Sequence, residues 1–309
     1  MKVIIVGGGT AGWVSLAYLS ATTNAELTII HSEEVDNLGV GESTTPTIKH
    51  VAEVCGIDEV KWMKNAKASY KYGIEFLDFN NKGSRWLHNF DDLLPGQSFH
   101  TPTTEFGKNI FKKEISSVEY FLTQRKKGLP NYNIDWYNNS QGSCEYLLSR
   151  QLSPYTKQNK SNFNKFPGYG YHINAHEFGN SLRNNIPLDR YTEIKGTIKD
   201  VEYDNNGVKN LILDDGSKIN ADLYIDCSGF KRLLINKLTS FNKYERLINN
   251  AAIWGTVEHQ SYKPCTVAAA QDYGWIWETP TWGRIGTGFV YCDDFLSVDD
   301  AENHMKKHW

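Results

Sequence analysis

Residues 3–6, Val3-Ile4-Ile5-Val6, form an unbroken apolar run, the pattern of a strand buried on both faces. Three glycines follow, and residues 11–20 predict a helix. A second apolar run, Leu27-Thr28-Ile29-Ile30, predicts the strand that completes a βαβ unit. Residues 48–64 predict a mostly helical stretch. Over 70–79 the period shortens to two: Tyr70, Tyr72, Ile74 and Phe76 alternate with Lys71, Gly73 and Glu75. That strand sets Lys71 on the face opposite the aromatics.

From 191 to 230 the pattern predicts a β-meander. Strands at 198–204, 208–213 and 219–225 are separated by Asn205-Asn206-Gly207 and Asp214-Asp215-Gly216, both strong hairpin signals. Residues 84–168 carry little periodicity. They are rich in Asn, Lys, Tyr and Trp, have turns at Leu94-Pro95-Gly96 and Gly128-Leu129-Pro130, and predict one helix over 118–127. Such an insertion in an α/β protein reads as a cover over a site. No internal repeat or low-complexity tail interrupts the chain.

Composition narrows the function classes. At 309 residues, 40% apolar and 22% charged, the chain can bury a sizeable core, and a net charge of -3 leaves no basic footprint for nucleic acid. Cys55, Cys144, Cys227, Cys265 and Cys292 form no CxxC pair, which argues against a zinc site or a disulfide framework and fits a reducing, cytoplasmic setting. No apolar run approaches the ~18 residues of a membrane span, so no membrane anchor is expected.

The first chemistry-bearing motif is Gly7-Gly8-Gly9-Thr10-Ala11-Gly12, a G-x-G-x-x-G between a predicted strand and a predicted helix. Gly7 permits the tight turn, Gly9 lets backbone approach a pyrophosphate, and Gly12 lets the helix pack on the strand with its N-terminus toward negative charge. A ribose-binding acid is expected about 20 residues on. His31 follows the second strand there, with Glu33 and Glu34 just beyond, so backbone contacts are expected, with Glu33 as an alternative. The strand ending in Asp226-Cys227-Ser228-Gly229, after the hairpin pair, resembles a second flavin-contacting element and favours FAD over NAD. Two histidine pairs have the i, i+4 spacing of metal ligands. His304/His308, with Glu302 nearby, fits an amphipathic helix better, and His172/His176 reads as structural, so no metal is expected.

Taken together, GGGTAGW at 7–13, LGVGEST at 38–44, ASYK at 68–71, DCSGF at 226–230, LLINK at 233–237, GWIWETP at 274–280 and GRIGTGFVY at 283–291 resemble the flavin-dependent halogenases of the tryptophan halogenase type. The matches run in family order along the whole chain. The resemblance implies an α/β fold: a Rossmann-like FAD module of the aromatic-hydroxylase and glutathione-reductase group, with a β-meander and residues 84–168 as a substrate-covering insertion. It also implies that FADH2 from a separate flavin reductase, O2 and a halide ion yield hypohalous acid, which travels through the protein to a small electron-rich aromatic. Lys71 stands at the family's essential lysine. As an ammonium it can hydrogen-bond the oxidant; with its pKa lowered by burial it can form a haloamine.

Cofactor contacts are expected at Gly7, Gly9, Thr10, Ala11, Gly12, Ile198 and Gly229, and from the strap at 38–46 through Gly41, Glu42 and Ser43. His88 and Phe90, in a His-x-Phe pattern, are expected against the substrate ring. Trp275 and Trp277 are expected to keep an organic substrate from the flavin. The resemblance allows a homo-oligomer.

Two departures stand out. Thr279 replaces the isoleucine of the family's W-x-W-x-I-P, and no DPLESTG-like segment, which carries a catalytic glutamate, halide ligands and the last flavin contacts, occurs in residues 1–309. A portion of a longer polypeptide is the favoured explanation, because ending the core there would expose apolar faces; a natural truncation is the other. Substrate identity stays open among tryptophan, other indoles, phenols and pyrroles. The competing readings are an aromatic flavin monooxygenase and a noncatalytic flavin-binding remnant.

Overall fold

The computed structural model describes residues 1–32, 40–90, 126–128, 142–154, 168–242, 244, 246–259 and 263–309. Glu33, Glu34, Leu38, Gly39 and most of the insertion, with its Leu94-Pro95-Gly96 turn and nearly all of the 118–127 helix, lie outside the described residues. The fold is mixed α/β and divides into two compact units. Among the described residues no helix is long and apolar enough to cross a membrane.

The first unit comprises Met1–Gly39, Lys49–Ala68 and Ile173–Ile248. Its centre is a parallel sheet in the order Leu223–Asp226, Lys2–Val6, Glu26–His31, Tyr191–Lys195. The helix Thr10–Thr22 makes the crossover between the two N-terminal strands, which pair from Lys2↔Glu26 to Val6↔Ile30. Val3 to Val6 are all buried, as a strand flanked on both sides and covered on both faces requires. The hairpin signals at Asn205-Asn206-Gly207 and Asp214-Asp215-Gly216 do join antiparallel strands, Ile198–Asp204, Gly207–Leu213 and Lys218–Ile219. Ile4, Val6 and Ile30 share a core with Val201, Leu211 and Leu213, so meander and parallel sheet stabilise each other by burial.

Three expectations change here. The strand expected at 219–225 is two: Lys218–Ile219 ends the meander, and Leu223–Asp226 pairs parallel to the N-terminal strand, Val3↔Leu223. Tyr191–Lys195, expected in the meander, is instead a parallel strand beside Glu26–His31. The helix expected over 48–64 is broken into Thr47–Val54 and Glu59–Asn65, because Gly56 takes φ +66° and Asp58 caps the second helix by accepting from the Lys61 amide at 2.8 Å.

The second unit comprises Val40–Ile48, Ser69–His172 and Asn249–Trp309. It holds a six-stranded sheet in the order Ala251–Glu258, Arg284–Tyr291, Gly274–Thr281, Thr266–Gln271, Gly73–Leu77, Arg85–Asn89. A three-stranded sheet runs Glu42–Ser43, Gly170–Ile173, Ser69–Lys71. The single strand expected over 70–79 therefore splits at Tyr72, where the chain leaves the small sheet for the large one. The Tyr72 amide donates to the Pro264 carbonyl and its own carbonyl accepts from the Phe90 amide. The expected alternation is interrupted there: Lys71, Tyr72 and Gly73 are buried in succession, and beyond them Glu75 is buried while Tyr70, Ile74 and Phe76 are half-buried. Glu75 is tolerated there because Arg85 and Lys263 both pair with its carboxylate.

The helix Val298–His308 covers one face of the large sheet, packing Ala301 and Met305 on Ile276 and Phe289. Its ends obey the helix dipole, with Asp299 and Asp300 in the first turn and Lys306, Lys307 and His308 in the last.

Candidate functional site

In the first unit the ends of three parallel strands converge on Gly7. Its amide donates to the Ile30 carbonyl at 2.8 Å, and the Cys227 amide donates to the Val6 carbonyl at 2.8 Å. Gly7 has φ +117°, and a Cβ placed there would lie 2.3 Å from the Cys227 carbonyl oxygen, so only glycine fits. A Cβ on Gly12 would lie 1.9 Å from the Gly7 carbonyl oxygen, which is how closely the helix is seated on the turn. Gly9 caps that helix without a side-chain hydrogen bond, which leaves the first-turn amides beside Thr10 and Ala11 as donors at the positive end of the helix dipole. Backbone amides at a helix N-terminus and glycines without Cβ atoms are what a pyrophosphate requires, and the turn supplies both. The Thr10 hydroxyl is already engaged, donating to the Ala175 carbonyl at 2.9 Å, so Thr10 can offer a ligand its amide rather than its side chain.

His31 ends the second strand and turns sideways. Its ring lies against Gly8, where a Cβ would come within 2.7 Å, and its Nε2 is 2.8 Å from Glu193 Oε1. Arg183 donates to both Glu193 oxygens at 2.7 and 2.9 Å and lies over the Trp13 ring at 4.8 Å. Partial burial pushes the Glu193 carboxyl up, but the hydrogen bonds from His31 and Arg183 prevail and hold it below the usual range. At the far strand, Asp226 accepts from the amides of Ser228, Leu234 and Ile235, fixing the turn that gives Gly229 its φ of +63°. Ile198 is half-buried and packs against the core around Ile4 and Val6.

In the second unit Lys71 is only 3% exposed. Its Nζ donates to Ser43 Oγ at 2.9 Å and lies 5.2 Å from the centroid of the buried Phe90 ring. Burial lowers its pKa from 10.5 to about 8. Burial likewise pushes the Cys265 thiol up to about 12, so it stays uncharged at neutral pH. Ser43 reaches Lys71 because the strap is clamped to the strand Gly170–Ile173: the Thr44 amide donates to the Tyr171 carbonyl at 2.8 Å, and the Tyr171 amide to Thr44 Oγ1 at 2.9 Å. Gly41 has φ +83°, and a Cβ on Gly286 would lie 2.0 Å from the Val40 carbonyl oxygen. The structure thus brings Lys71, Ser43 and Phe90 together, with Glu42 half-buried in the strap and His88 exposed on the strand Arg85–Asn89.

Trp275 and Trp277 share one face of their strand, opposite Ile276, with ring centroids 6.2 Å apart. Trp277 lies across Gly288, where a Cβ would fall 2.1 Å from the indole. The two glycines of GRIGTGFVY therefore have separate duties, Gly286 admitting the strap and Gly288 the indole. That spacing is visible in the sequence, but its meaning depends on the strand register Trp277↔Gly288. At the C-terminal helix, His308 Nε2 is 3.0 Å from Glu278, Glu302 pairs with Lys306 at 2.7 Å, and His304 packs on Tyr273 and Phe289.

A cluster around His172, read from the sequence only as structural, lies beside Lys71. Ser69 Oγ donates to the Pro280 carbonyl at 2.6 Å and is 3.1 Å from His172 Nδ1, whose Nε2 is 3.1 Å from Thr266 Oγ1. Burial, and then the Lys71 charge, lower the His172 pKa well below its usual value, so the ring is neutral.

Comparison with known proteins agrees with the motifs. The family profile described as tryptophan halogenase matches residues 2–309. The chain is 31% identical over 320 residues to 7-chloro-L-tryptophan 6-halogenase KtzR of Kutzneria sp. (strain 744), covering 98% of this chain and 60% of KtzR. It is 29% identical over 322 residues to tryptophan 7-halogenase RebH of Lentzea aerocolonigenes, covering 100% of this chain and 58% of RebH. The structure of Tar14, a tryptophan C-6 flavin-dependent halogenase from taromycin biosynthesis, matches with a TM-score of 0.80 at 28% identity, over 99% of this chain and 59% of that one. The chain thus spans about three fifths of the length of these relatives. With its motifs, its fold and a family match over residues 2–309 in agreement, the chain belongs to the tryptophan halogenase family.

Proposed function

We propose that this chain is the FAD-binding and lysine-bearing part of a flavin-dependent halogenase acting on a small electron-rich aromatic: an indole such as tryptophan, a phenol or a pyrrole. The fold reading that accompanies it is the Rossmann-like FAD module of the aromatic-hydroxylase and glutathione-reductase group. FAD, reduced by a separate flavin reductase, supplies when bound the chemistry that turns O2 and a halide into hypohalous acid. This chain's own residues bind and orient. Gly7, Gly9 and Gly12 admit the pyrophosphate to the helix N-terminus, with the Thr10 and Ala11 amides as donors.

Lys71 carries the proposal. A lysine buried to 3% with a pKa of about 8 is mostly an ammonium at pH 7, held toward Ser43 and able to donate to the oxygen of hypohalous acid; its neutral fraction is an amine nucleophile for the halogen. A lysine without chemistry is costly to bury and gives nothing back. Phe90 and His88 are the proposed substrate-side rings, and Trp275 and Trp277 exclude the organic substrate from the cofactor.

Incubating the protein with a flavin reductase, NADH, O2 and chloride, bromide or iodide against a panel of indoles, phenols and pyrroles tests this. Halogenated product is expected, and its loss by at least about a hundredfold in Lys71→Ala is expected for a group acting in the chemical step. Product that persists in Lys71→Ala overturns the lysine's role; hydroxylated product points to a monooxygenase instead.

A further inference from the structure

The hydrogen-bond chain beside Lys71 has a direction. A serine hydroxyl carries one proton, and Ser69 gives it to the Pro280 carbonyl, which can only accept. His172 must then donate from Nδ1 to Ser69 Oγ, and its Nε2, left without a proton in the neutral ring, accepts from the Thr266 hydroxyl. The order is Thr266 to His172 to Ser69 to the Pro280 carbonyl, with Ser69 1% and His172 0% exposed. Every hydrogen-bonding position of the imidazole is filled, and none is left for a ligand.

The ends of this chain explain its place. Ser69 and His172 face each other across antiparallel strands, and Lys71, two residues on, points to the same face as Ser69. The His172 strand is the middle of the small sheet: the Lys71 strand flanks it on one side and the strap bearing Ser43 on the other. Thr266 and Pro280 belong to the large sheet, Pro280 on the strand that carries Trp275 and Trp277. A Cβ on Gly170, opposite Lys71, would lie 2.7 Å from the Thr44 carbonyl oxygen, so strap and lysine strand are both pressed on the strand that His172 anchors.

We propose that His172 is a positioning residue for Lys71: through Ser69 and Thr266 it locks the sheet holding Lys71 and Ser43 to the strand of the two indoles, and so fixes where Nζ points. The functional part of this proposal rests on Lys71 acting in halogenation; the geometric part does not.

Three substitutions separate the functions of the ring. His172→Asn puts an amide N–H near the Nδ1 position and keeps the link to Ser69, His172→Gln keeps a polar group near Nε2 alone, and His172→Phe keeps only volume. The 13Cε resonance of Lys71, identified by its absence in Lys71→Met, is expected to coincide with the parent in His172→Asn and to shift in His172→Gln and His172→Phe. Halogenated product per O2 consumed is expected to follow the same order, falling about tenfold in His172→Phe and being restored in His172→Asn.

An unmoved Lys71 resonance in His172→Phe overturns the proposal, as does equal loss in the Asn and Phe variants. Should His172→Phe fail to fold, Ser69→Ala breaks the same chain with a smaller change and carries the same expectations. If the parent chain makes no halogenated product, the functional reading fails while the resonance still decides whether His172 places Lys71.

Discussion

Lys71 shows what burying a single lysine costs. Its pKa falls from 10.5 in the unfolded chain to about 8 in the fold, so between those values the unfolded state binds more protons and stability rises with pH. Below about pH 8 the buried ammonium opposes folding in full. Lys71→Met is therefore expected to be more stable than the parent at pH 7, by roughly 1–3 kcal/mol after allowing for the lost bond to Ser43, and to lack the gain between pH 8 and 10.5. Chemical denaturation at pH 7 and pH 10 reads both effects, and equal pH slopes in the two proteins would contradict the assignment. Asp226 behaves oppositely. Burial pushes its carboxyl up, but its four hydrogen bonds from Ser228, Leu234 and Ile235 prevail and hold it below its usual value, so its contribution is present at neutral pH and fades as the solution is acidified. Asp226→Asn, which turns an amide donor on those amides, is expected to cost about 1–3 kcal/mol in a denaturant melt. At this scale the sequence set Lys71 apart from the other lysines, through alternation and the surrounding ASYK, and the structure buries it. The sequence could not show Ser43 as its partner or the polar function of His172, because both depend on which strands become neighbours.

Elements were legible where local chemistry decides them and illegible where register does. Asn205-Asn206-Gly207 and Asp214-Asp215-Gly216 announced their turns through left-handed glycines, and Gly207 and Gly216 do have φ of +115° and +84°. The crossover helix followed the glycine motif as expected. By contrast, nothing local in 219–225 distinguishes the last residues of a meander from the first of a parallel strand, and nothing at Tyr72 marks a change of sheet. In the strand Arg284–Tyr291 the glycines serve as moulds for other elements, a function that only the register assigns. Gly288→Ala is expected to displace the Trp277 indole, costing about 1–3 kcal/mol as overpacking, with a shift in tryptophan fluorescence. An unchanged spectrum and stability would mean the indole does not rest on that strand. Gly12→Ala meets a backbone oxygen at 1.9 Å instead of a side chain that can give way, so loss of FAD retention through gel filtration is expected.

At the scale of the molecule, each unit is assembled from three separated stretches of chain, and the stretches alternate. Fragment 1–172 holds two of the four parallel strands and fragment 173–309 the other two. Neither fragment is expected to unfold cooperatively alone, and a sigmoidal denaturation curve from either would refute that dependence. This alternation was hidden in the sequence, where the chain reads as one FAD-binding core with an insertion, because hydrophobic pattern reports the faces of elements and not their partners.

The pairing Val3↔Leu223 also sets a clock. A ribosome adding about 5–20 residues per second leaves the first strand waiting roughly 10–45 seconds between its own synthesis and the arrival of that neighbour. Glu26–His31 can join early on one edge, but the turn at Gly7 has no Cys227 carbonyl to close on until nearly three quarters of the chain has emerged. During that interval an apolar strand stands with an open edge, a template for mispairing that a nascent-chain chaperone would have to shield. The glycine turn, first in the sequence, closes only after residue 227 has been made.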